Sequence, residues 1–239
     1  MNPALSFCNL SRTKPEINVP ELKLRHFCCD LSAAVEIERA AAEIGQYLTE
    51  VAPTGRVLLI NNSGFGSYGR FPEPALPHHL EMLDVNVRAV VHLTGLLLTL
   101  LKARGGAIIN IASTAAFQPT AYMATYGASK TFLLHWSLAL NEELRGSGLR
   151  ALAVCPGPTA TQFFRRAGLQ QGSVADALSM PCEQVVMMAL HALAAGRSQV
   201  VTGWKNRLSA LAGSLAPKPL AARVAALILA RYRLKQVQR

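Results

Sequence analysis

Unbroken apolar runs of strand length alternate along this chain with longer stretches of helical period. Residues 23 to 29, KLRHFCC, read as a short strand ending at Asp30, and residues 33 to 50 repeat apolar positions at helical spacing among alanines and glutamates. RVLLI, residues 56 to 60, is opened by Gly55 and is continuously apolar, as a buried parallel strand is. A loop rich in glycine and proline runs to about Pro77. A long helix is predicted from about His79 to Ala103, stopped by Gly105 and Gly106. Then come a strand near 107 to 112, a helix from Ala124 to about Arg145 and a strand at 150 to 155. A polar segment spans 158 to 180. Met180-Pro181 opens a helix to about Ala195, and SQVVT, 198 to 202, is a last strand. This alternation predicts an α/β fold with right-handed crossovers and a doubly wound parallel sheet in a single domain.

Composition narrows the class. A chain of 239 residues suits one α/β domain, and 51% hydrophobic residues suffice for a large core. No uninterrupted apolar run approaches the ~20 residues of a membrane span. The start, MNPALSFCNLSRTK, lacks the basic-then-apolar pattern of a secretory signal, so a cytoplasmic chain is expected. The five cysteines, Cys8, Cys28, Cys29, Cys155 and Cys182, are odd in number and lack metal-ligand spacing; reduced thiols are expected. The six histidines do not cluster, and no metal site is expected. Net charge is +10, but eight of the basic residues lie within 203 to 239, which contains no acid. The remainder is close to balanced, which argues against a nucleic-acid partner. The division expected is residues 1 to 202 as the α/β domain and 203 to 239 as a basic helical extension.

The chemistry concentrates in INIASTAAFQPTAYMATYGASK, residues 109 to 130. Ser113 stands at the end of a strand. Tyr126 and Lys130 are one helical turn apart on the same face. An ammonium beside a phenol favours phenolate and lowers the tyrosine pKa from its ordinary value near ~10. A serine hydroxyl next to that phenol can hold a carbonyl oxygen. Together these groups can exchange a proton with an alcohol while hydride moves elsewhere.

At this spacing Ser113, Tyr126 and Lys130 resemble the active site of the short-chain dehydrogenases/reductases. The resemblance implies a Rossmann-like fold and an NAD(P)-dependent interconversion of a carbonyl and a secondary alcohol. In that family the serine orients the substrate oxygen, the tyrosine is the acid/base, and the lysine tunes the tyrosine and binds the nicotinamide ribose. Asn86, in LDVNVRA within the long helix, matches an asparagine whose kinked backbone holds a relay water; asparagine is otherwise unfavourable in mid-helix. NNSG (Asn61, Asn62, Ser63 and Gly64) resembles the family's Asn-Asn-Ala-Gly, which lines the cofactor site and ties neighbouring strands. Asp30 matches the aspartate that contacts adenine, and it also reads as a helix N-cap. PGPTAT resembles the Pro-Gly segment beside the nicotinamide, so Pro156, Gly157, Thr159 and Thr161 are expected cofactor contacts. GFGSYG, residues 64 to 69, fits a dinucleotide pattern but is rejected: no helix starts within it, Pro72, Pro74 and Pro77 oppose one, and no acid follows at ~20 residues.

The family's glycine-rich phosphate loop has no match, since the first glycine is Gly45. ALSFCNL, residues 4 to 10, is read as the family's second strand, which sets Arg12 where basic residues grip the 2′-phosphate of NADP. The cofactor expected is NADP(H) or NAD(H), with NADP preferred. The first β-α unit is expected to be missing or replaced, as in an N-terminally shortened member whose RVLLI strand loses a neighbour. Residues 158 to 180, with Phe163 and Phe164, are expected to form a substrate lid and suggest a lipophilic small molecule. A subgroup of the family, some acting on lipophilic ketones, has a similar Gly-Trp and basic C-terminal stretch. Residues 208 to 239, divided by Pro217 and Pro219, read as a helix packed on the core with a solvated basic face, or as an amphipathic contact to an anionic membrane surface. The resemblance also implies a homodimer through the helix at 79 to 103 and the Tyr126 helix. The competing reading is a catalytically impaired dehydrogenase-fold protein that binds a ligand or a membrane surface.

Overall fold

A computed structural model describes residues 5–17, 23–168 and 179–233, except the side chains of 231–233. Strands β1 (Ser6–Ser11) and β2 (Lys23–Cys28) pair in parallel, Ser6 opposite Lys23. Helix α1 (Ala34–Val51) follows. Strand β3 (Val57–Asn61) leads through a non-helical loop to helix α2 (Leu76–Leu83), a π turn (Asp84–Arg88) and helix α3 (Ala89–Arg104). Strand β4 (Gly106–Ile111), a 3₁₀ turn (Thr114–Phe117), helix α4 (Ala124–Glu143) and strand β5 (Leu149–Cys155) form the centre. Short helix α5 (Phe163–Arg166), helix α6 (Cys182–Ala194), strand β6 (Gln199–Val201) and helices α7 (Trp204–Leu215) and α8 (Lys218–Arg233) complete the described chain.

The doubly wound parallel α/β fold expected from the alternation is the one observed. Strands β3, β4, β5 and β6 pair in that order, all parallel. Side chains alternate across β5, which separates two cores. Ala151, with Ile108 of β4, faces α1 and α3, where Ile37, Ala40, Leu97 and Leu101 are buried. Leu152 and Val154, with Ile109, face α6 through Val185, Ala189 and Ala192. A smaller cluster sets Ala153 and Cys155 against Leu134 of α4.

The sheet is in two pieces among the described residues. The pair β1–β2 is separate from the four strands, and β3 is an edge strand. Its apolar side chains Leu58 and Ile60 are accordingly 42% and 51% exposed. The neighbour that RVLLI was expected to lose is thus absent among the described residues, while the burial expected of its side chains is not met on the face of Leu58 and Ile60. Residues 12 to 22 link two parallel strands. Eleven residues are too few for the usual crossover helix.

Two helix boundaries differ from the sequence reading. The long helix begins at Leu76, because a proline in the first turn costs no hydrogen bond and Pro77 is accommodated there. It is then interrupted by the π turn around Asn86. The span Leu76–Arg104 is long and apolar enough to cross a membrane by length and composition, but Met82, Leu93, Leu97 and Leu101 are buried in the fold. The tail divides at Pro217, as the prolines predict.

Gly106 fixes where β3 and β4 meet. Its φ is +133°, and a Cβ there would lie 2.1 Å from the Val57 carbonyl oxygen. Gly106→Ala should therefore lower the unfolding free energy by ~2 kcal/mol or more, read from urea denaturation midpoints at constant m.

Candidate active site

The candidate site lies where the C-terminal ends of β3, β4 and β5 meet the first turns of α4. Open α/β sheets bind ligands at that end. Ser113 follows β4 in extended backbone. Its hydroxyl accepts from the Ala115 N–H at 3.1 Å and lies near enough to the Tyr126 phenol to favour the ionised form. Lys130 lies one turn beyond Tyr126. Its Nζ donates to the Ile111 carbonyl at 2.8 Å and stands 5.9 Å from the centre of the tyrosine ring. Ser113, Tyr126 and Lys130 are thus brought together, as their spacing requires.

The electrostatics differ from the sequence reading. Tyr126 is pushed up to about 12 by burial, which the Ser113 hydrogen bond only partly opposes. The lysine does not draw it down here, because the amine bonds a carbonyl and faces the ring. Lys130 itself is pulled down to about 8 by burial, with the Cys155 thiol nearby working against that shift. Cys155 is pushed up to about 12 by burial and stays a neutral thiol. The tyrosine is covered by Phe163, whose ring centre lies 5.1 Å from its own. Phe163 and Phe164 join Tyr68, Tyr122, Met82 and Met123 in an aromatic-rich wall.

Asn86 sits in the π turn, fully buried. Its side-chain carbonyl accepts from Phe65 N–H at 3.1 Å, and its amide donates to the Phe65 carbonyl at 2.9 Å. It also donates to the Ser129 hydroxyl at 3.1 Å, and that hydroxyl donates to the Tyr126 carbonyl at 2.7 Å. Asn86 therefore clamps the loop after β3 onto α4. Asn61 ties strands, as its motif suggests: its amide donates to Asn110 of β4 at 2.7 Å and to Thr94 at 3.1 Å. Asn110 in turn donates to Ser137 of α4 at 2.9 Å. Asn62 and Ser63 continue this loop to Gly64.

The fit to a nicotinamide cofactor divides along the site. Gly64 borders the centre: a Cβ there would lie 2.9 Å from Asn86 Oδ1 and 3.3 Å from Lys130 Nζ. Glycine at 64 is what lets the Asn86 side chain and the Lys130 amine approach the backbone of this loop so closely. Pro156 accepts from Thr114 N–H at 2.9 Å, which ties the Pro156–Gly157 segment to the serine turn. Thr159 donates to the Gly157 carbonyl at 3.0 Å, and Thr161 accepts from the Phe163 N–H at 3.2 Å; both hydroxyls serve local turns. The residues expected on the nicotinamide side thus lie in segments that adjoin the Ser113, Tyr126 and Lys130 group, with the Thr159 and Thr161 hydroxyls engaged locally. At the other end Asp30 accepts from Ser32 N–H at 2.8 Å and Ser32 hydroxyl at 2.7 Å, which holds its carboxyl below its ordinary value. Asp30 is not the N-cap of α1; Ala33 is, and the Glu36 carboxylate accepts from the Asp30 N–H at 2.8 Å. Arg12 stands 3.9 Å from Asp30 and 3.6 Å from Glu81. GFGSYG opens no helix, which agrees with its rejection as a phosphate motif.

Several site residues escape the sequence reading. Asn110, Ser129 and Ser137 form the buried polar ladder, and the signal for Asn110 was a polar residue inside the apolar strand AIINI. Part of the expected lid, residues 169 to 178, lies outside the described residues.

Comparisons with known proteins agree with this geometry. A family model described as short chain dehydrogenase matches residues 7–172. The chain belongs to the short chain dehydrogenase family. It is 32% identical over 163 residues to a serine 3-dehydrogenase of Agrobacterium fabrum, covering 59% of this chain and 65% of that protein. It is 40% identical over 101 residues to the ketoacyl reductase HetN of a Nostoc species, covering 42% and 35%. The chain thus spans between about a third and two thirds of the length of these curated relatives. Among solved structures, a short-chain dehydrogenase from Sphingobium yanoikuyae in complex with NADPH aligns with a TM-score of 0.65 and 28% identity, over 91% of this chain and 77% of that one. One from Burkholderia cenocepacia in complex with NADP aligns at 0.68 and 25% identity, over 84% and 78%.

Burial of Lys130 predicts a stability signature. Its folded pKa of about 8 lies below the ordinary 10.5, so between these values the unfolded chain holds more protons. Stability then rises with pH across that window. Relative to Lys130→Met, the native chain should gain roughly 2 kcal/mol from the lower to the upper end of the window, measured by urea denaturation.

Proposed function

We propose that this chain is an NAD(P)-dependent oxidoreductase that interconverts a carbonyl and a secondary alcohol on a lipophilic small molecule. The observation that carries the reading is the grouping of the Ser113 hydroxyl, the Tyr126 phenol and the buried Lys130 amine at one strand end. The cofactor, when bound, supplies or accepts hydride. Every proton step falls to the chain. Tyr126 gives its phenolic proton to the substrate oxygen in reduction and takes it back in oxidation. Ser113 hydrogen-bonds the same oxygen and fixes its position. Lys130 holds the ribose and, once a polar ligand replaces Phe163 over the ring, favours the phenolate that remains. We assign the relay water to the π turn at Asn86, where the regular helical ladder is interrupted. We assign Asn61, Asn62, Ser63, Gly64, Pro156, Gly157, Thr159 and Thr161 to the cofactor's nicotinamide side and Asp30 to its adenine side.

Substrate polarity follows from the wall. Phe163, Phe164, Tyr68 and Tyr122 surround the phenol, and apolar surface there favours an apolar substituent on the carbonyl. Arg12, beside Asp30 at the end of β1, supports NADP over NAD through a 2′-phosphate contact. Exposed Val91 and Leu96 on α3 and Phe132 on α4 support a homodimer through those helices. Five free thiols fit a cytoplasmic setting. We read residues 1 to 202 as the dehydrogenase domain and 203 to 239 as its helical extension.

Titration with NADPH and with NADH, followed by nicotinamide fluorescence, tests the reading. Micromolar binding of NADPH, tighter than NADH, is expected. No binding of either at millimolar concentration would assign the fold to a non-catalytic role. Tyr126→Phe should lower turnover of an apolar ketone by ~10²–10⁴-fold with cofactor affinity kept. Near-normal turnover in that variant would remove Tyr126 from the acid/base role.

A further inference from the structure

The two C-terminal helices present apolar stripes to solvent. On α7, Trp204, Leu208, Leu211 and Leu215 recur at helical spacing and are 57% to 76% exposed. The opposite side of the helix seats on the protein through small groups: Asn206 against Gly157, buried Ala210, and Gly213 against Gln118. Lys205 and Arg207 fall on the two flanks of the stripe. On α8, Leu220, Val224, Leu227 and Ile228 are exposed, while Ala221 is buried. The basic face expected on a solvated tail is thus accompanied by leucines that core packing does not explain.

A groove of about 590 Å³ runs between α7 and the edge strand β6. Its apolar lining includes Phe117, Val201, Trp204 and Leu208, and two guanidiniums, Arg197 and Arg207, border it. Among the described residues neither arginine has an acidic partner, and no acid lines the groove. An apolar surface bordered by cations, in a segment without a single Asp or Glu, is complementary to an amphipathic anion. Two such stripes in tandem match a surface that is wide, apolar beneath and anionic on top.

We infer that α7 and α8 dock this chain on the surface of a bilayer containing anionic phospholipid. The leucine stripes enter the acyl boundary, and Arg197 and Arg207 hold headgroup phosphates at the groove. This inference needs no turnover and stands apart from the proposed redox chemistry.

Flotation of the full chain with phosphatidylcholine vesicles, with and without phosphatidylglycerol, tests it. The chain should float with vesicles that contain phosphatidylglycerol, stay in buffer with neutral ones, and release as salt rises. Arg197→Gln and Arg207→Gln should each lower the partition about fivefold. Leu208→Ser combined with Leu227→Ser should lower it about tenfold or more. Failure of the native chain to float with anionic vesicles overturns the inference, as does equal flotation of the leucine double variant. A vesicle-independent dimer that the same double variant dissociates, with no flotation, assigns the stripes to a second copy and also overturns it. Should the double variant not fold, the arginine variants and the salt dependence decide.

Discussion

An amine is held almost out of water at the centre of this molecule. Lys130 is 5% exposed, and its ammonium donates a hydrogen bond to the Ile111 carbonyl at the end of β4. Burying a charge costs several kcal/mol unless its hydrogen bonds are supplied, so the strand end, α4 and the loop after β3 must all be in place around it. Their register is secured by polar ties: Asn61 to Asn110, Asn110 to Ser137, and Asn86 to both Phe65 and Ser129. Each of these side chains would be costly to bury alone. Together they join two strands, the loop after β3, the π turn and α4 around one spot.

Much of the architecture was legible along the chain. RALAVC and the run around Ile108 are continuously apolar because both faces of a central parallel strand are covered, and glycines and prolines mark their ends. The Ser113, Tyr126 and Lys130 spacing was legible for a similar reason: a strand end and one helical turn leave little freedom. What the spacing does not carry is where an amine spends its hydrogen bonds. Tyr126 was expected to be acidified by Lys130, yet the amine bonds a backbone carbonyl, and Phe163, 37 residues downstream of the tyrosine, removes water from the phenol. Such a contact depends on tertiary packing, which local pattern does not encode. The cap at α1 was misplaced for a smaller reason: Asp30 prefers its own Ser32 turn, and Glu36 reaches back instead. The lost neighbour of β3 was legible in the unmatched glycine-rich unit, whereas the exposed face of Leu58 and Ile60 was not, because the text of RVLLI is that of an interior strand.

The tail and the site are mechanically joined. The Tyr68 hydroxyl donates to the Leu229 carbonyl of α8, and the Leu229 side chain packs on the cluster that contains Tyr126 and Phe163. The outer side of α8 is apolar, and its inner side forms part of the aromatic wall. The cover over Tyr126 and the position of α8 are therefore one packing problem, and a change at either is felt at the other.

The unequal pairing of the strands sets how the molecule breathes. Strands β4 and β5 are hydrogen-bonded on both sides, whereas β3 and the β1–β2 pair end in open edges among the described residues. Amide protons in β4 and β5 can exchange with solvent only through large openings. Those on the free side of β3 need no opening at all. The hydrogen-bonding groups that hold Ser113 and Ile111 in place thus belong to the slowest-opening layer, and the least protected backbone lies on the opposite flank of β3.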